Sequence, residues 1–390
     1  MISPSKAIKD LPPYLFVHLV TLKKQARDLG RTIIDLGMGN PDMPTPKHIQ
    51  DALRKAVRDP STHRYPMASG SGVYAQAIAK FYNKRFGVKL NASEEILPLI
   101  GSKEGLGHTF FALANPGDTV IMPTPAYPAH TNIPYLSNTK AHWVALKEKD
   151  GFLMDFGSIP TKVLRKAKIL LINYPNNPTG ATAEKSYIKE AVKVAKKYGF
   201  LLIYDNAYSE MTFDGYKAPS ALEIPGAKDV TMEFNSLSKT YSMAGWRVGY
   251  AAGNPKAIGC LGKMKTFIDY GVAGFIQKAA ATALTSGGEA KMAAVYERRR
   301  NAFVKAAATH AGWTMPNTKA TMYLWPSIPE RFKKQGSFAF AKKLLLDTGV
   351  CLSPGVGFGK AGEGFVRIAL VEPENRLIEA AKRIGKFLSF

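Results

Sequence analysis

A single lysine, Lys239, lies in the segment SLSKTYSMAGWRVGY among hydroxyl and glycine residues. Small polar residues precede it, and Gly245, Trp246 and Arg247 follow before an apolar run. This setting predicts that the ammonium group lies in a tight turn and not on a charged helix face. Partial burial and cationic neighbours lower the pKa of a lysine amine, which makes it a nucleophile or a general base. Lys239 is therefore the first candidate for covalent chemistry.

Polar residues also follow each of four predicted strands in the central part of the chain. The strands are the apolar runs ILPLI, ILLI, LLIY and VTMEF. In open α/β sheets, ligands bind beyond the carboxyl ends of the strands. The sequence therefore predicts that four polar segments share one rim, and these segments are 101–105, 173–180, 205–208 and 236–239.

Part of this rim has the composition of an anion site. Ser102 begins a predicted helix, whose free backbone amides bind anions, and the hydroxyls of Ser236 and Ser238 lie on the same rim. The guanidinium of Arg247 adds a bidentate donor for an oxyanion. Together these groups are expected to bind one monophosphate.

A phosphate site, a strand-end carboxylate and a lysine in a turn match the requirements of pyridoxal phosphate. Lys239 would bind the aldehyde as a Schiff base, and Asp205 would face the pyridinium nitrogen and keep it protonated. Tyr208 and Asn177 would reach the ring hydroxyl, and Tyr127 would stack on the ring. The residues thus predict a pyridoxal phosphate enzyme.

The elements that must position these residues alternate between strands and helices from about residue 95. This pattern predicts a mainly parallel sheet with helices on both faces. EKSYIKEAVKVAKKYG reads as a helix that ends at Gly199. After about residue 273, long helical patterns and a few short strands indicate a smaller α+β domain. The proline-rich first 45 residues are expected to form no sheet and to lie across both domains.

Composition narrows the class of protein. A chain of 390 residues is expected to form two domains, and no stretch has the ~20 apolar residues of a membrane span. The N-terminus lacks a secretory signal pattern, so we expect a cytoplasmic protein. Cys260 and Cys351 are isolated, and the seven histidines show no ligand spacing, so no disulfide framework and no metal site are expected.

The strongly basic composition could indicate a nucleic-acid or anion-binding protein. With 53 Lys and Arg against 30 Asp and Glu residues, the formal charge is +23. The basic residues are scattered along the chain and form no nucleic-acid motif, which favours solvated surfaces and no nucleic-acid partner. The segment 357–362 satisfies GxGxxG, but the strand-like GEGFVRIAL follows it where a dinucleotide site needs a helix. We interpret it as a turn.

The motifs NYPNNPTG, YDNAY and SLSKTYSMAGWRVGY resemble those of the fold-type I, class I/II aminotransferases. The resemblance extends from LGMGNPDMPTP to GEGFVRIAL and covers nearly all of the chain. It implies a large domain with a mainly parallel, mixed seven-stranded sheet sandwiched by helices, and a smaller α+β domain. The expected division is an N-terminal arm and part of the small domain at 1–45, a large cofactor-binding domain at 46–285 and the small C-terminal domain at 286–390.

The resemblance also implies a role for individual residues. Lys239 corresponds to the Schiff-base lysine, and Arg367 to the arginine that binds the substrate α-carboxylate. Tyr65 corresponds to a tyrosine that reaches the cofactor phosphate of the partner subunit, which implies a homodimer with shared sites. The other implied ligands are Ser102, Lys103, Ser236 and Arg247 at the phosphate, Tyr127, Asn177, Asp205 and Tyr208 at the ring, and Gly39, Asn177 and Tyr14 at the substrate.

Within the family, LPPYLF, IGSKEGL and SPGVGFG most resemble bacterial alanine aminotransferases, with LL-diaminopimelate aminotransferases next. The expected reaction moves an α-amino group between an alanine-type amino acid or glutamate and a 2-oxoacid by a ping-pong mechanism. LL-diaminopimelate, aspartate or aromatic aminotransferases and a carbon–sulfur β-lyase are the alternatives. No second arginine for a distal carboxylate can be placed, which disfavours the aspartate type. A DNA-binding regulator would need a helix-turn-helix module before LPPYLF.

Overall fold

The structure is a computed structural model that describes residues 2–12, 15–67, 72–287 and 289–389. In these ranges the helices are α1 (Lys6–Asp10), α2 (Leu15–Asp28), α3 (Lys47–Val57), α4 (Gly72–Phe86), α5 (Ser102–Leu113), α6 (Pro128–Leu136), α7 (Thr161–Leu164), α8 (Lys185–Tyr198), α9 (Leu237–Thr240), α10 (Pro255–Ile268), α11 (Gly274–Ser286), α12 (Glu289–Ala311), α13 (Glu330–Lys333), α14 (Ser337–Thr348) and α15 (Glu374–Leu388). The strands are β1 (Ile34–Asp35), β2 (Ile96–Leu99), β3 (Thr119–Thr124), β4 (Lys140–Ala145), β5 (Ala167–Asn173), β6 (Leu201–Asp205), β7 (Thr231–Ser236), β8 (Gly249–Gly253), β9 (Tyr323–Leu324), β10 (Val350–Cys351), β11 (Ser353–Pro354) and β12 (Val366–Ala369).

A seven-stranded sheet organises the first two thirds of the chain, with the strand order β2-β8-β7-β6-β5-β3-β4. β8 runs antiparallel to both of its neighbours, and the other neighbouring pairs are parallel. The predicted mixed, mainly parallel sheet is therefore confirmed. Because β8 is reversed, its amino end lies on the rim where the parallel strands end.

The central strands are apolar along their whole length because helices cover both faces of the sheet. In β5, Leu170 and Ile172 pack with Ile188 of α8, whereas Ile169 and Leu171 pack with Phe110 of α5. Successive side chains of a strand point to opposite faces, so a continuous apolar run fills two separate cores. The edge strand β4 is mostly exposed and lacks such a run, which is why the sequence did not predict it.

The last part of the chain forms a second core around α12, α14 and α15, beside the antiparallel sheet β11-β12-β9. The expectation that the first 45 residues form no sheet is wrong. Ile34 and Asp35 form β1, which pairs in parallel with β10 near the other end of the chain. Prolines surround this pair without interrupting it, because only two residues need to be extended. The domain boundaries near residues 45 and 285 stay predictions.

Two local predictions are confirmed. The helix α8 ends at Gly199, whose φ of 73° is the left-handed conformation that a C-cap glycine adopts most readily. The GxGxxG segment forms two short 3-10 turns, Gly355–Phe358 and Lys360–Gly362, before β12. Across the described residues, none of the helices combines the length and the apolar character that crossing a membrane requires.

Candidate active site

A cavity of about 210 Å³ opens on the predicted rim. Its walls come from the carboxyl ends of β2, β5, β6 and β7, the segment before β8, and β9 and β12 of the second core. The cavity brings together twelve of the residues predicted from sequence, namely Gly39, Ser102, Lys103, Tyr127, Asn177, Asp205, Tyr208, Ser236, Ser238, Lys239, Arg247 and Arg367.

Lys239 lies in the one-turn helix α9, which directly follows β7. The Ser236 hydroxyl begins this turn by accepting a hydrogen bond from the Ser238 amide at 3.2 Å. Lys239 Nζ donates to the Gly39 carbonyl at 3.2 Å. Burial lowers the pKa of Lys239; Tyr323 opposes this effect, and the positive charge of Arg367 adds to it. The amine can therefore lose its proton more readily than a surface lysine.

Asp205 ends β6 and is only 5% exposed. Its Oδ2 lies 2.9 Å from Nε2 of His130, a residue of α6. Its Oδ1 is buried and has no hydrogen-bond partner among the described residues. A buried carboxylate oxygen without a donor is costly, so this atom fits a ligand that brings its own N–H group.

The opposite end of the cavity suits an anion. Gly101 precedes α5 with a φ of 77°, and a Cβ there would lie 2.5 Å from Nη2 of Arg247. Glycine is therefore required for the guanidinium to cross the helix N-terminus at this distance. Arg247 Nη1 donates to the Ala244 carbonyl at 2.9 Å. Burial lowers the pKa of the neighbouring Lys103, and the charge of Arg247 lowers it further.

Arg367 lies in β12 at the boundary between the two cores and is 3% exposed. Its Nη1 donates to Asn177 Oδ1 and its Nη2 to the Gly37 carbonyl, both at 2.9 Å. The guanidinium carbon lies 4.3 Å from the ring centroid of Tyr323 and 4.7 Å from that of Phe358. A buried, fixed guanidinium of this kind is suited to a carboxylate.

Two phenols meet beside Lys239. The Tyr208 hydroxyl donates to the Tyr323 oxygen at 3.1 Å. Burial would raise the pKa of Tyr323, but the charges of Arg367 and Lys239 and the hydrogen bond from Tyr208 lower it below its ordinary value. Burial holds the pKa of Tyr208 well above its ordinary value, and the neighbouring Tyr323 raises it further. Tyr208 is therefore the hydrogen-bond donor of this pair, and the Tyr323 oxygen is the acceptor.

The comparisons with known proteins identify the family. Residues 31–384 match the family model described as "Aminotransferase class I and II". The chain belongs to this aminotransferase family. It is 44% identical over 387 residues to the LL-diaminopimelate aminotransferase of Dehalococcoides mccartyi, and the match covers 99% of each chain. The protein is thus a pyridoxal phosphate-dependent aminotransferase.

Solved structures share the fold of this aminotransferase. Substrate-bound BacF from Bacillus subtilis has a TM-score of 0.94 and 37% identity, covering 100% of this chain and 98% of that chain. A Thermus thermophilus protein described as "probable N-succinyldiaminopimelate aminotransferase" has a TM-score of 0.90 and 39% identity, covering 95% and 99%. The fold predicted from the motifs is therefore confirmed.

The cavity of this aminotransferase fits pyridoxal phosphate on its own chemistry. Asp205 Oδ1 lacks a donor, and a protonated ring nitrogen supplies one. The hydroxyls of Ser102, Ser236 and Ser238 and the guanidinium of Arg247 line the same cavity and suit a phosphate. Lys239, with its lowered pKa, offers an amine for the aldehyde.

The sequence did not single out three polar residues of the aminotransferase site. His130 lies one helical turn after Tyr127, and its ring contacts the Tyr127 ring at 5.5 Å, so an i, i+3 search from Tyr127 could have found it. Asn173 is the last residue of β5, inside the predicted rim, and donates to the Asp205 carbonyl at 2.8 Å. Tyr323 carries no local signal, because it reaches the cavity that Lys239 lines only through the tertiary placement of β9 beside β12.

One predicted residue, Tyr65, lies away from the cavity in the single chain, and another cannot be located in the structure. Tyr65 is 89% exposed, and its ring contacts that of Tyr270 at 5.7 Å. This position leaves it available to a second subunit, as the resemblance implies, and the role stays a prediction. Tyr14 lies outside the described residues.

The histidine spacing predicted no metal site, yet Glu104, His108 and Asp269 place their potential ligand atoms within 4.8 Å of one another. Helix packing makes this group, since Glu104 and His108 lie on α5 and Asp269 follows α10. The Lys265 ammonium already binds both carboxylates, at 2.9 Å from Glu104 and 3.0 Å from Asp269. A lysine thus provides the cation that these carboxylates need.

Proposed function

We propose that this aminotransferase moves an α-amino group between LL-diaminopimelate and a 2-oxoacid. The observation that carries this proposal is the 44% identity over nearly the whole chain to a protein named LL-diaminopimelate aminotransferase. The Thermus relative, with a related substrate in its description, supports the same class of amino donor. The alanine-type donor expected from the motifs has no comparable support among these relatives and stays a prediction.

Pyridoxal phosphate, when bound, supplies a ring that accepts electrons from the substrate α-carbon. In this proposal Asp205 holds a proton at the ring nitrogen, and His130 orients the carboxylate through its bond to Oδ2. Tyr208 and Asn177 bind the ring hydroxyl, and Tyr127 stacks on the ring. The phosphate ligands are Ser102, Lys103, Ser236, Ser238 and Arg247.

Lys239 has two roles in the proposal. Its neutral amine is the nucleophile that binds the aldehyde, and the lowered pKa supports this role because only the unprotonated amine reacts. With the cofactor and the substrate bound, Nζ would be the group that takes the proton from the substrate α-carbon and holds it for its return. Anchor and general base are thus the same atom.

Arg367 binds the substrate α-carboxylate. Its burial and its hydrogen bonds to Asn177 and Gly37 support the role, because a guanidinium that is already oriented loses little entropy on binding a carboxylate. Gly39 and Tyr14 belong to the same subsite in the proposal. Tyr65 acts in the site of a partner subunit, so the functional unit is a homodimer.

The amino donor can be identified in a half-reaction without an acceptor. The purified enzyme with bound cofactor is mixed in turn with LL-diaminopimelate, alanine, glutamate, aspartate and phenylalanine, and the loss of cofactor absorbance is followed by stopped flow. We expect LL-diaminopimelate to give the highest ratio of rate to dissociation constant. A higher ratio for alanine would restore the alanine-type prediction and refute this proposal.

The same experiment tests the β-lyase alternative. Release of pyruvate from an S-alkylcysteine without any oxoacid acceptor would show elimination instead of transamination. A Lys239→Ala variant is the control, because it should lose either reaction.

A further inference from the structure

Tyr323 occupies the centre of the site, although neither the motifs nor the proposed reaction assigns it a role. It is 2% exposed and lines the cavity beside Lys239, Tyr208 and Arg367. Tyr323 belongs to β9 and pairs with Ala369 of β12, which fixes its backbone. The Tyr323 amide also donates to Thr321 Oγ1 at 3.1 Å. The ring therefore has a fixed position relative to Arg367, which lies on β12.

A close backbone approach makes room for this ring. A Cβ on Gly39 would lie 2.2 Å from Tyr323 Oη and 2.6 Å from Cε1 of the same ring. Only glycine leaves this space, so the Tyr323 ring explains why position 39 is a glycine. The hydrogen bond from Lys239 involves only the Gly39 carbonyl and would not by itself require a glycine. The loop before α3 and the strand β9 are thus fitted to each other at the phenol.

The ring of Tyr323 forms one side of an aromatic clamp around Arg367. Its centroid is 4.3 Å from the guanidinium carbon, and the Phe358 ring lies at 4.7 Å. Cation–π contacts stabilise a guanidinium, and more strongly when it is desolvated; two rings also restrict its rotation. Asn177 and Gly37 fix its nitrogens, so ring contacts and hydrogen bonds together determine the plane in which Arg367 meets a carboxylate.

The hydroxyl of Tyr323 has a separate contact. It accepts the hydrogen bond of Tyr208, the residue proposed at the cofactor ring hydroxyl. In this pair Tyr208 is the donor and the Tyr323 oxygen is the acceptor. Burial raises the pKa of Tyr323, but the charges of Arg367 and Lys239 lower it below its ordinary value. The orientation of the Tyr208 hydroxyl therefore depends on an atom of Tyr323.

We propose that Tyr323 is a positioning residue with two separable functions, in which the ring orients Arg367 for the substrate carboxylate and the hydroxyl orients Tyr208 at the cofactor. The proposal rests on the proposed roles of Arg367 and Tyr208. Tyr323 thereby couples the substrate end of the cavity to the cofactor end through a single side chain.

The ring function is tested by comparing Tyr323→Leu with Tyr323→Phe in the holoenzyme. Propionate is the probe, and its dissociation constant is measured by isothermal titration calorimetry. We expect Tyr323→Leu and Phe358→Leu each to weaken propionate binding about tenfold, the scale of one buried cation–π contact, and Tyr323→Phe to change it less than about twofold. Tyr198→Leu is the matched control, because it removes the surface contact of Lys197 with the Tyr198 ring.

Arg367→Leu separates the possible failures. If it leaves the propionate dissociation constant unchanged, the proposed role of Arg367 fails. If it weakens binding while Tyr323→Leu does not, the ring function of Tyr323 is refuted and the role of Arg367 stands. An equal effect of Tyr323→Phe and Tyr323→Leu would also refute the separation of ring and hydroxyl.

The hydroxyl function is tested by the pH titration of the bound cofactor's visible absorbance. Tyr323→Phe should shift the midpoint by about half a pH unit or more, the differential effect of one hydrogen bond in this environment. In a Tyr208→Phe background the same substitution should produce no further shift, because the Tyr323 hydroxyl then has no Tyr208 hydroxyl to orient. An unchanged midpoint, or an equal shift in both backgrounds, would overturn this function.

Discussion

At the scale of single residues, the site depends on a lysine whose surroundings disfavour its charge. Burial lowers the pKa of Lys239, and the positive charge of Arg367 lowers it further. Tyr323 partly offsets this, since its coulombic effect raises the pKa. The Lys239 amine therefore lies close to the Arg367 guanidinium and the Tyr323 phenol, and its own charge lowers the pKa of Tyr323.

Replacing Lys239 with alanine should abolish transamination. Among the described residues, the other lysine that lines the cavity is Lys103, which lies near Arg247. The variant therefore loses both the nucleophile and the general base. The measurement is turnover together with the visible absorbance and borohydride trapping of the cofactor. Lys196→Ala, an exposed lysine paired with Asp229, serves as control and should behave like the wild type.

The lowered pKa of Lys239 also predicts a pH-dependent stability of the cofactor-free chain. Between the lowered pKa and the unfolded value near 10.5, the unfolded state binds more protons, so stability rises with pH in this window. Lys239→Met removes the effect and should unfold at higher denaturant than the wild type near pH ~7, with a difference that narrows towards pH ~10. Denaturant titrations at several pH values measure this, and a constant difference would contradict the assigned cause.

At the scale of elements, a buried carboxylate joins the strand before Lys239 to its surroundings. Glu233 of β7 is 0% exposed. Its Oε1 accepts from Tyr82 of α4, from Asn206 and from Asn235. Its Oε2 accepts from the Ser220 hydroxyl at 2.7 Å and the Ala221 amide at 2.8 Å. Burial raises its pKa, and these donors lower it. The carboxylate thus fixes β7, α4 and the segment after β6 relative to one another.

Glu233→Gln should lower the free energy of unfolding by about 1–3 kcal/mol. Both oxygens of the Glu233 carboxylate accept hydrogen bonds, whereas the glutamine side chain has one acceptor oxygen, and its NH₂ group would face donors. The backbone amide of Ala221 cannot reverse its role. Chemical denaturation measures the loss, with the exposed Glu330→Gln as control. Equal stability of Glu233→Gln and wild type would show that relief of the buried charge outweighs the unpaired donor.

At the scale of the whole molecule, two features of the topology bring distant segments to one cavity. The strand β8 is reversed, and β10, late in the chain, pairs with β1. Arg247 reaches the rim because β8 begins there, and Arg367 reaches it because β12 packs beside β9. Tyr65 is exposed and does not line this cavity in the single chain. The complete site is therefore expected only in a dimer.

Subunit mixing tests this expectation. Lys239→Ala and Tyr65→Ala chains each form a defective dimer if Tyr65 acts in the partner's site. Random reassociation should restore about a quarter of the wild-type activity, because half of the dimers are mixed and each has one intact site. The activity of the mixture is measured after denaturation and refolding of the two chains together. No gain over the separate variants, or a fully active Tyr65→Ala enzyme, would exclude the shared site.

The residues that bear chemistry were predictable because each follows a strand, and an open α/β sheet gathers strand ends on one rim. Lys239, Asp205, Asn177 and Ser102 were found in this way. The alternation of strand and helix patterns from about residue 95 likewise predicted a sheet covered on both faces. The family's fold followed from the motifs that these same segments contain.

Tertiary structure alone decided the contacts between residues that are far apart in the sequence. Tyr323 looks in the sequence like any core residue of a short strand, and only the tertiary placement of β9 gives it Tyr208 and Arg367 as neighbours. The pairing of β1 with β10 joins residues near opposite ends of the chain, which no local pattern records. Local sequence determines which side chains can react, whereas long-range packing determines which of them meet and how their charges shift one another's pKa values.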